Sequence, residues 1–176
     1  MCASYSEFLY LKTGLHILLE NCGLTLNIEN IDFHQLDAII VYIHLSMLHS
    51  REFYKQLGNL FYAIAAADKK ISKEERKTLD DEIQFAWKHY EDSKDRFGSD
   101  RAFLIQFEFE TMEDEYESPG NAFESFVGFY KDNEAAFDPD TKRRVFNSAR
   151  HIAESMRRIN KQELELLVKL KELMKI

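Results

Sequence analysis

Residues 65–75 read Ala65-Ala66-Ala67-Asp68-Lys69-Lys70-Ile71-Ser72-Lys73-Glu74-Glu75. Small residues close one apolar segment, a short polar corner follows, and a new segment opens at Ser72. Ser72 with Glu75 three residues later is the pattern of a capping box: the hydroxyl takes the N3 amide, and the carboxylate reaches back to the cap amide. Ile71, the apolar residue just before the cap, would pin the corner to the core. The stretch therefore predicts helix, corner, helix. Upstream, Phe53, Leu57, Leu60, Phe61 and Ile64 fall at i, i+4, i+7, i+8 and i+11, the stripe of a helix buried on one face. Downstream, Leu79, Ile83, Ala86, Trp87 and Tyr90 repeat that spacing.

The corner has an echo. An offset of 88 residues aligns Ile64-Ala65 with Ile152-Ala153, Ile71 with Ile159, Lys73 with Lys161, Glu75 with Glu163 and Leu79 with Leu167, six identities within sixteen positions. Asn160 and Glu163 can cap the second copy as Ser72 and Glu75 cap the first, Asn being a good N-cap. A duplicated helical hairpin is the expected arrangement. The copies differ at one place. Asp68 lies at the C-terminal end of a helix, where the macrodipole disfavours an anion; its counterpart is Met156. Amides of the next helix, Lys69 or Lys70, or a bound cation should compensate Asp68.

These residues resemble the tellurite-resistance TerB family and its wider TerB-like group, whose signature helix runs through small residues into an Ala-Asp-Gly-x-Ile/Val-x-x-x-Glu corner. Ala67, Asp68, Ile71 and Glu75 match, and Phe61-Tyr62-Ala63-Ile64-Ala65-Ala66 is similar to the preceding helix. Lys69 stands where the family usually has Gly; Gly reaches positive φ freely, Lys only at a cost. The resemblance implies an all-α fold over 47–176, no known catalytic triad, a role in tellurite or other chemical stress, and acidic residues that bind divalent cations and offer a docking surface to a protein partner. By that resemblance Asp68 and Glu75 are the candidate metal contacts. Two carboxylates suit a hard cation such as Ca²⁺, but its 6–8 oxygen ligands require carbonyls, water or other acids as well.

The rest of the chain supports the helical reading. Phe123, Phe126, Val127 and Tyr130, and then Val145, Ala149, Ile152, Ala153 and Met156, are further helical stripes. Residues 105–110 alternate like a strand, yet one isolated strand has nothing to pair with. They are read as helix, with Ile105, Phe109, Met112 and Tyr116 buried. Ser118-Pro119-Gly120-Asn121 and Asp138-Pro139-Asp140-Thr141 are breaks that open new helices. Ser93 through Gly98 reads as a polar connector. The segment 162–174 is apolar on more than one face and is expected to be central.

Composition bounds the function. The chain has 176 residues, 45% apolar and 31% charged, which suits a folded domain and not a disordered one. Six Gly and two Pro are few for an all-β sandwich with its frequent turns. A net charge of −8, from 31 acidic and 23 basic residues, speaks against a general nucleic-acid binder and against docking on anionic lipid. Cys2 and Cys22 make no disulfide framework, so a reducing compartment is the default. Lys12 is the lone basic residue before Arg51, and Glu7 and Glu20 spoil a secretory signal. The apolar runs 8–19 and 38–48 are too short to span a bilayer. A cytoplasmic location without membrane insertion is expected.

Residues 1–50 hold one basic residue against five acidic ones, with both Cys and four of the six His. Residues 1–46 are either an N-terminal helical arm or an extension from an upstream start, with Met47 at the seam and the TerB-like all-α domain over 47–176.

Other chemistry is thinly supported. There is no HExxH, zinc-spaced Cys pair, P-loop or Glu-x-x-His. EF-hands starting at Asp68 or Asp138 fail at their twelfth positions, Leu79 and Ala149. His151 and Glu154 read as a helix-surface pair. Glu108, Glu110, Glu113, Asp114, Glu115 and Glu117 read as a solvated helix face. Arg143, Arg144, Arg150, Arg157 and Arg158 should pair with the protein's own carboxylates. No nucleophile has an evident base, so a non-enzymatic protein is expected. The leading reading is a divalent-cation-responsive interaction module. The alternatives are a purely structural helical domain without ligand, and a small-molecule or lipid-binding bundle using a cavity among the many Phe. The sequence leaves the oligomeric state open.

Overall fold

The computed structural model describes residues 51–88, 100–155 and 159–176. The chain divides into two units, Met1–Ser46 and Met47–Ile176, and all the described residues belong to the second. They are all-α: α1 Arg51–Ala65, α2 Lys73–Glu82, α3 Phe103–Asp114, α4 Pro119–Asp132, α5 Pro139–Glu154 and α6 Lys161–Met174. A π-helical turn, Ile83–Trp87, continues α2, and a short 3₁₀ turn, Glu134–Ala136, links α4 to α5. No β-strand occurs among the described residues. None of their helices is long and apolar enough to cross a membrane.

The central element is α1, which packs against α3, α4, α5 and α6. From Leu57 to Ala65 every residue is buried. Asn59 spends its amide nitrogen on Gln56 and on Ser125 of α4, and Gly58, Ala63 and Ala65 keep the helix narrow enough to be surrounded. The expectation that 162–174 is central is therefore corrected. Leu167, Leu170 and Met174 of α6 pack inward, while Leu164 and Val168 remain about half exposed. Glu165, Lys169, Lys171 and Glu172 are interleaved with the apolar residues, and charges on that many sides keep the helix at the periphery.

The breaks stand where the sequence placed them. Pro119 and Pro139 occupy first-turn positions, where a missing N–H is harmless. Asp138 Oδ1 accepts from the Thr141 amide at 2.6 Å. Residues 105–110 are helical, with Ile105 and Phe109 buried, but Tyr116 is not on the buried face. The Glu117 amide donates to the Met112 carbonyl at 2.9 Å and the Tyr116 amide to that of Glu113 at 3.1 Å. This is a Schellman end, and Tyr116 takes its left-handed seat at φ 54°, so the ring swings out to 92% exposure. Tyr90, Met156 and the connector 93–98 lie outside the described residues.

Aromatic rings fill the core around Phe137, whose centroid lies 4.9 Å from that of Tyr130, 5.8 Å from Phe53 and 6.5 Å from Phe126. Phe53 also meets Trp87 edge-on at 5.9 Å. The rings are partners of one another, at separations that reward edge-to-face contact.

Candidate functional site

The corner forms as its sequence directs. Ser72 takes the extended cap conformation; its Oγ accepts from the Glu75 amide at 3.1 Å, and Glu75 Oε2 accepts from the Ser72 amide at 2.6 Å. Ile71 is half-buried against the core. Asn160 and Glu163 repeat the box: the Glu163 amide donates to Asn160 Oδ1 at 2.8 Å, and the Asn160 amide to Glu163 Oε2 at 2.9 Å. Asp68 is exposed, and its Oδ1 accepts from the Lys70 amide at 3.0 Å. A backbone amide of the corner, ahead of α2, thus compensates part of the anion at the end of α1.

Lys69 adopts φ 69°, the conformation for which a Gly would be suited. A non-Gly residue there costs about 1–2 kcal/mol, and Gly gives back part of the gain through its freer unfolded chain. Lys69→Gly should raise stability by about 0.5–1 kcal/mol, read by urea denaturation with Trp87 fluorescence. A loss of stability would mean that the lysine side chain holds the corner.

Folding adds a third carboxylate that the sequence reading kept apart. Glu75 and Glu163 are both buried, at 4% and 5% exposure. Burial pushes the Glu75 carboxyl above its ordinary value, against the lowering effect of the Ser72 hydrogen bonds, and the charges of Asp68 and Glu74 push the same way. Burial likewise raises Glu163, the Asn160 amide opposes it, and the charges of Glu75 and Asp68 raise it further. Each cap glutamate is thus a buried carboxyl with other acids in its surroundings. The available signal was the 88-residue offset, which superimposes Glu75 on Glu163.

As metal ligands these groups fall short of a closed set. Among the described residues no three Asp, Glu, His or Cys side chains gather so as to hold a metal ion. Asp68 and Glu75 share a corner, each already accepting from a backbone amide. They fit an open, largely hydrated cation site only.

No family model matches this chain, and no curated protein or solved structure matches it either.

Of the remaining charged residues, Arg143 and Arg150 pair with the protein's own carboxylates as expected, while Glu108, Glu113 and His151 differ from the sequence reading. Glu108 is buried, 3.5 Å from Lys55 Nζ, because α3 turns it towards α1. Glu113 pairs with Arg76 of α2. His151 does not pair with Glu154; its Nδ1 lies 2.7 Å from Glu82 Oε1, and Glu154 faces Arg150 at 3.9 Å. Arg143 pairs with Asp140, and Arg144 donates to the Ala86 carbonyl at 2.7 Å. Arg157 and Arg158 lie outside the described residues. Ser148, Glu82 and His151 have the composition of a hydrolytic triad but not its wiring. Ser148 Oγ is buried and donates to Glu82 Oε2 at 2.5 Å, so the carboxylate and not the imidazole holds the hydroxyl proton.

Proposed function

We propose that this chain is a non-enzymatic, TerB-like helical interaction module of the cytoplasm whose acidic corner makes it responsive to divalent cations. Its architecture in this reading is a duplicated hairpin, α1–α2 and α5–α6, each a helix, a corner and a capped helix. The observation that carries the reading is the corner itself, which places the exposed Asp68 and the buried Glu75 seven residues apart, each accepting from a backbone amide of the corner. A carboxylate such as Glu75, held above its ordinary ionisation range by burial and by the charges of Asp68 and Glu74, is relieved when a cation approaches. Asp68 and Glu75 would contact a hydrated Ca²⁺ or similar ion, and the surface beside them would meet a protein partner. The setting in tellurite or chemical stress rests on the resemblance of the corner alone.

A second reading, a purely structural domain, is favoured by the caps themselves, since both boxes close on backbone amides without a ligand. Calorimetric titration of metal-stripped protein with Ca²⁺, Mg²⁺ and Zn²⁺ separates the two. The cation reading expects saturable binding that Asp68→Asn abolishes; absence of binding leaves the structural reading. Glu163→Gln adds a check, because Gln serves equally at N3 of a capping box. Both glutamates ionise later in the folded state than in the unfolded one, so the folded state holds more protons just above pH 4.5. Stability then falls as pH rises through that range. Glu163→Gln should flatten this fall and raise stability at neutral pH, measured by thermal unfolding across pH. An unchanged slope would show that the glutamates do not meet as charges.

A further inference from the structure

The corner borders a groove. Tyr62, Ala66, Ile71, Tyr116 and Pro119 supply an apolar lining, and the groove encloses about 540 Å³, within the range of ligand-binding clefts. Its walls are the end of α1 on one side and the turn from α3 to α4 on the other. The Tyr62 hydroxyl donates to the Glu117 carbonyl at 2.7 Å and fixes the two walls together. At Tyr116 and Glu113 the groove opens into a polar basin of about 480 Å³, which adds Arg76, Glu110 and Asp114.

Charge along this path is one-sided. Glu110, Glu113, Asp114 and Glu117 line it, against Arg76 and Lys69. Arg76 is already engaged by Glu113. Glu113 and Asp114 stand in the last turn of α3, where the helix dipole adds further negative potential. Glu117 is held ionised by hydrogen bonds from the Asn121 side chain and the Ser118 amide. The Tyr116 ring, held out by the left-handed backbone at the helix end, stands between the apolar and acidic parts. Aromatic side chains in such positions are the usual anchors of an interface.

We propose that this groove docks a basic amphipathic segment of a partner protein, placing its aliphatic or aromatic side chains against Tyr62, Ile71 and Tyr116 and its Lys or Arg side chains on the carboxylates of the α3 end. The apolar lining selects against a merely cationic chain, and the acidic basin selects against a neutral or acidic one. The inference rests on the reading of the protein as an interaction module, and it does not require a bound cation.

The test is fluorescence anisotropy with a labelled synthetic peptide of alternating lysine and leucine, terminally blocked, titrated with the full chain. Two control peptides replace leucine by glycine or lysine by glutamate. The lysine–leucine peptide should bind saturably and both controls should bind at least about tenfold more weakly. Tyr116→Ser, at an exposed position, should weaken binding about tenfold, as loss of an aromatic anchor does. Asp114→Lys should weaken it and reduce its dependence on salt. Circular dichroism shows that each variant is folded. Equal binding of the lysine–glycine peptide, or indifference to Tyr116→Ser, would overturn the proposal, since a diffuse acidic surface would then suffice; so would no binding at all. Each titration is run with EDTA and with excess Ca²⁺ on both wild type and Asp68→Asn. Failure of the cation reading leaves the EDTA titration intact, whereas failure of the groove removes peptide binding in every arm.

Discussion

Gly58→Ala is expected to lower stability by about 2 kcal/mol, although alanine is the better helix former by about 1 kcal/mol. Gly58 lies in the middle of α1, where α3 crosses it. A Cβ built there would stand 2.7 Å from Glu108 Cβ and 2.7 Å from the Ile105 carbonyl oxygen, with the Phe109 amide nitrogen at 3.3 Å. The Ile105 oxygen is backbone, so relief requires a shift of α3 as a whole. That shift would disturb Ile105 and Phe109, both fully buried, and the Lys55–Glu108 pair beside them. Overpacking of this kind costs about 1–3 kcal/mol or more, which outweighs the propensity gain. Gly128 supplies the control. It too lies within a helix, but a Cβ there meets nothing within 4 Å, so Gly128→Ala should stabilise by up to about 1 kcal/mol. Urea denaturation of the two variants should give shifts of opposite sign. Stabilisation by both would mean that α1 and α3 are farther apart than the structure places them.

That close approach illustrates what the sequence does and does not reveal. Helices α1, α4 and α5 are legible because their apolar spacing and their breaks are local, within one or two turns. Both capping boxes are legible for the same reason: Ser72 with Glu75 and Asn160 with Glu163 act over three residues. Gly58 carries no such signal, since its role depends on a helix far along the chain. Tyr116 misleads because the left-handed seat it fills is usually a glycine's, so periodicity runs on past the true helix end. Glu108 and His151 are recognisable as charged helix residues, but their partners Lys55 and Glu82 come from other helices. The candidate site divides likewise. Asp68 and Glu75 are visible as one corner, while the influence of Glu75 and Asp68 on the distant Glu163 depends on the folded chain. The apolar count of α6 overstated its burial, because the charges between its leucines decide its place more than the leucines do.

Trp87→Ala is expected to be the most damaging single change, at about 3–5 kcal/mol, a large part of the roughly 5–15 kcal/mol typical of a whole domain. Trp87 is fully buried at the end of the π turn, edge-on to Phe53, with its ring 6.3 Å from Phe61. It also starts a polar chain. Its Nε1 donates to Ser148 Oγ at 3.1 Å, Ser148 donates to Glu82, and Glu82 accepts at its other oxygen from His151. The chain ties α2 and its π turn to α5. Truncation at Trp87 leaves a cavity and a loosened π turn. Trp87→Phe keeps most of the ring and removes one donor, so it should cost about 1–2 kcal/mol. Ser148→Ala should cost more than that, about 2–3 kcal/mol, because it removes the hydroxyl that accepts from the buried indole N–H and takes a donor from a charged group. Since Trp87 is the only tryptophan, its own variants are followed by circular dichroism, and Ser148→Ala by fluorescence as well. Non-additivity of Trp87→Phe and Ser148→Ala in the double variant would measure the link directly. Strict additivity, with Ser148→Ala below about 0.5 kcal/mol, would mean that apolar packing alone fixes α2 on α5 and the polar chain is incidental.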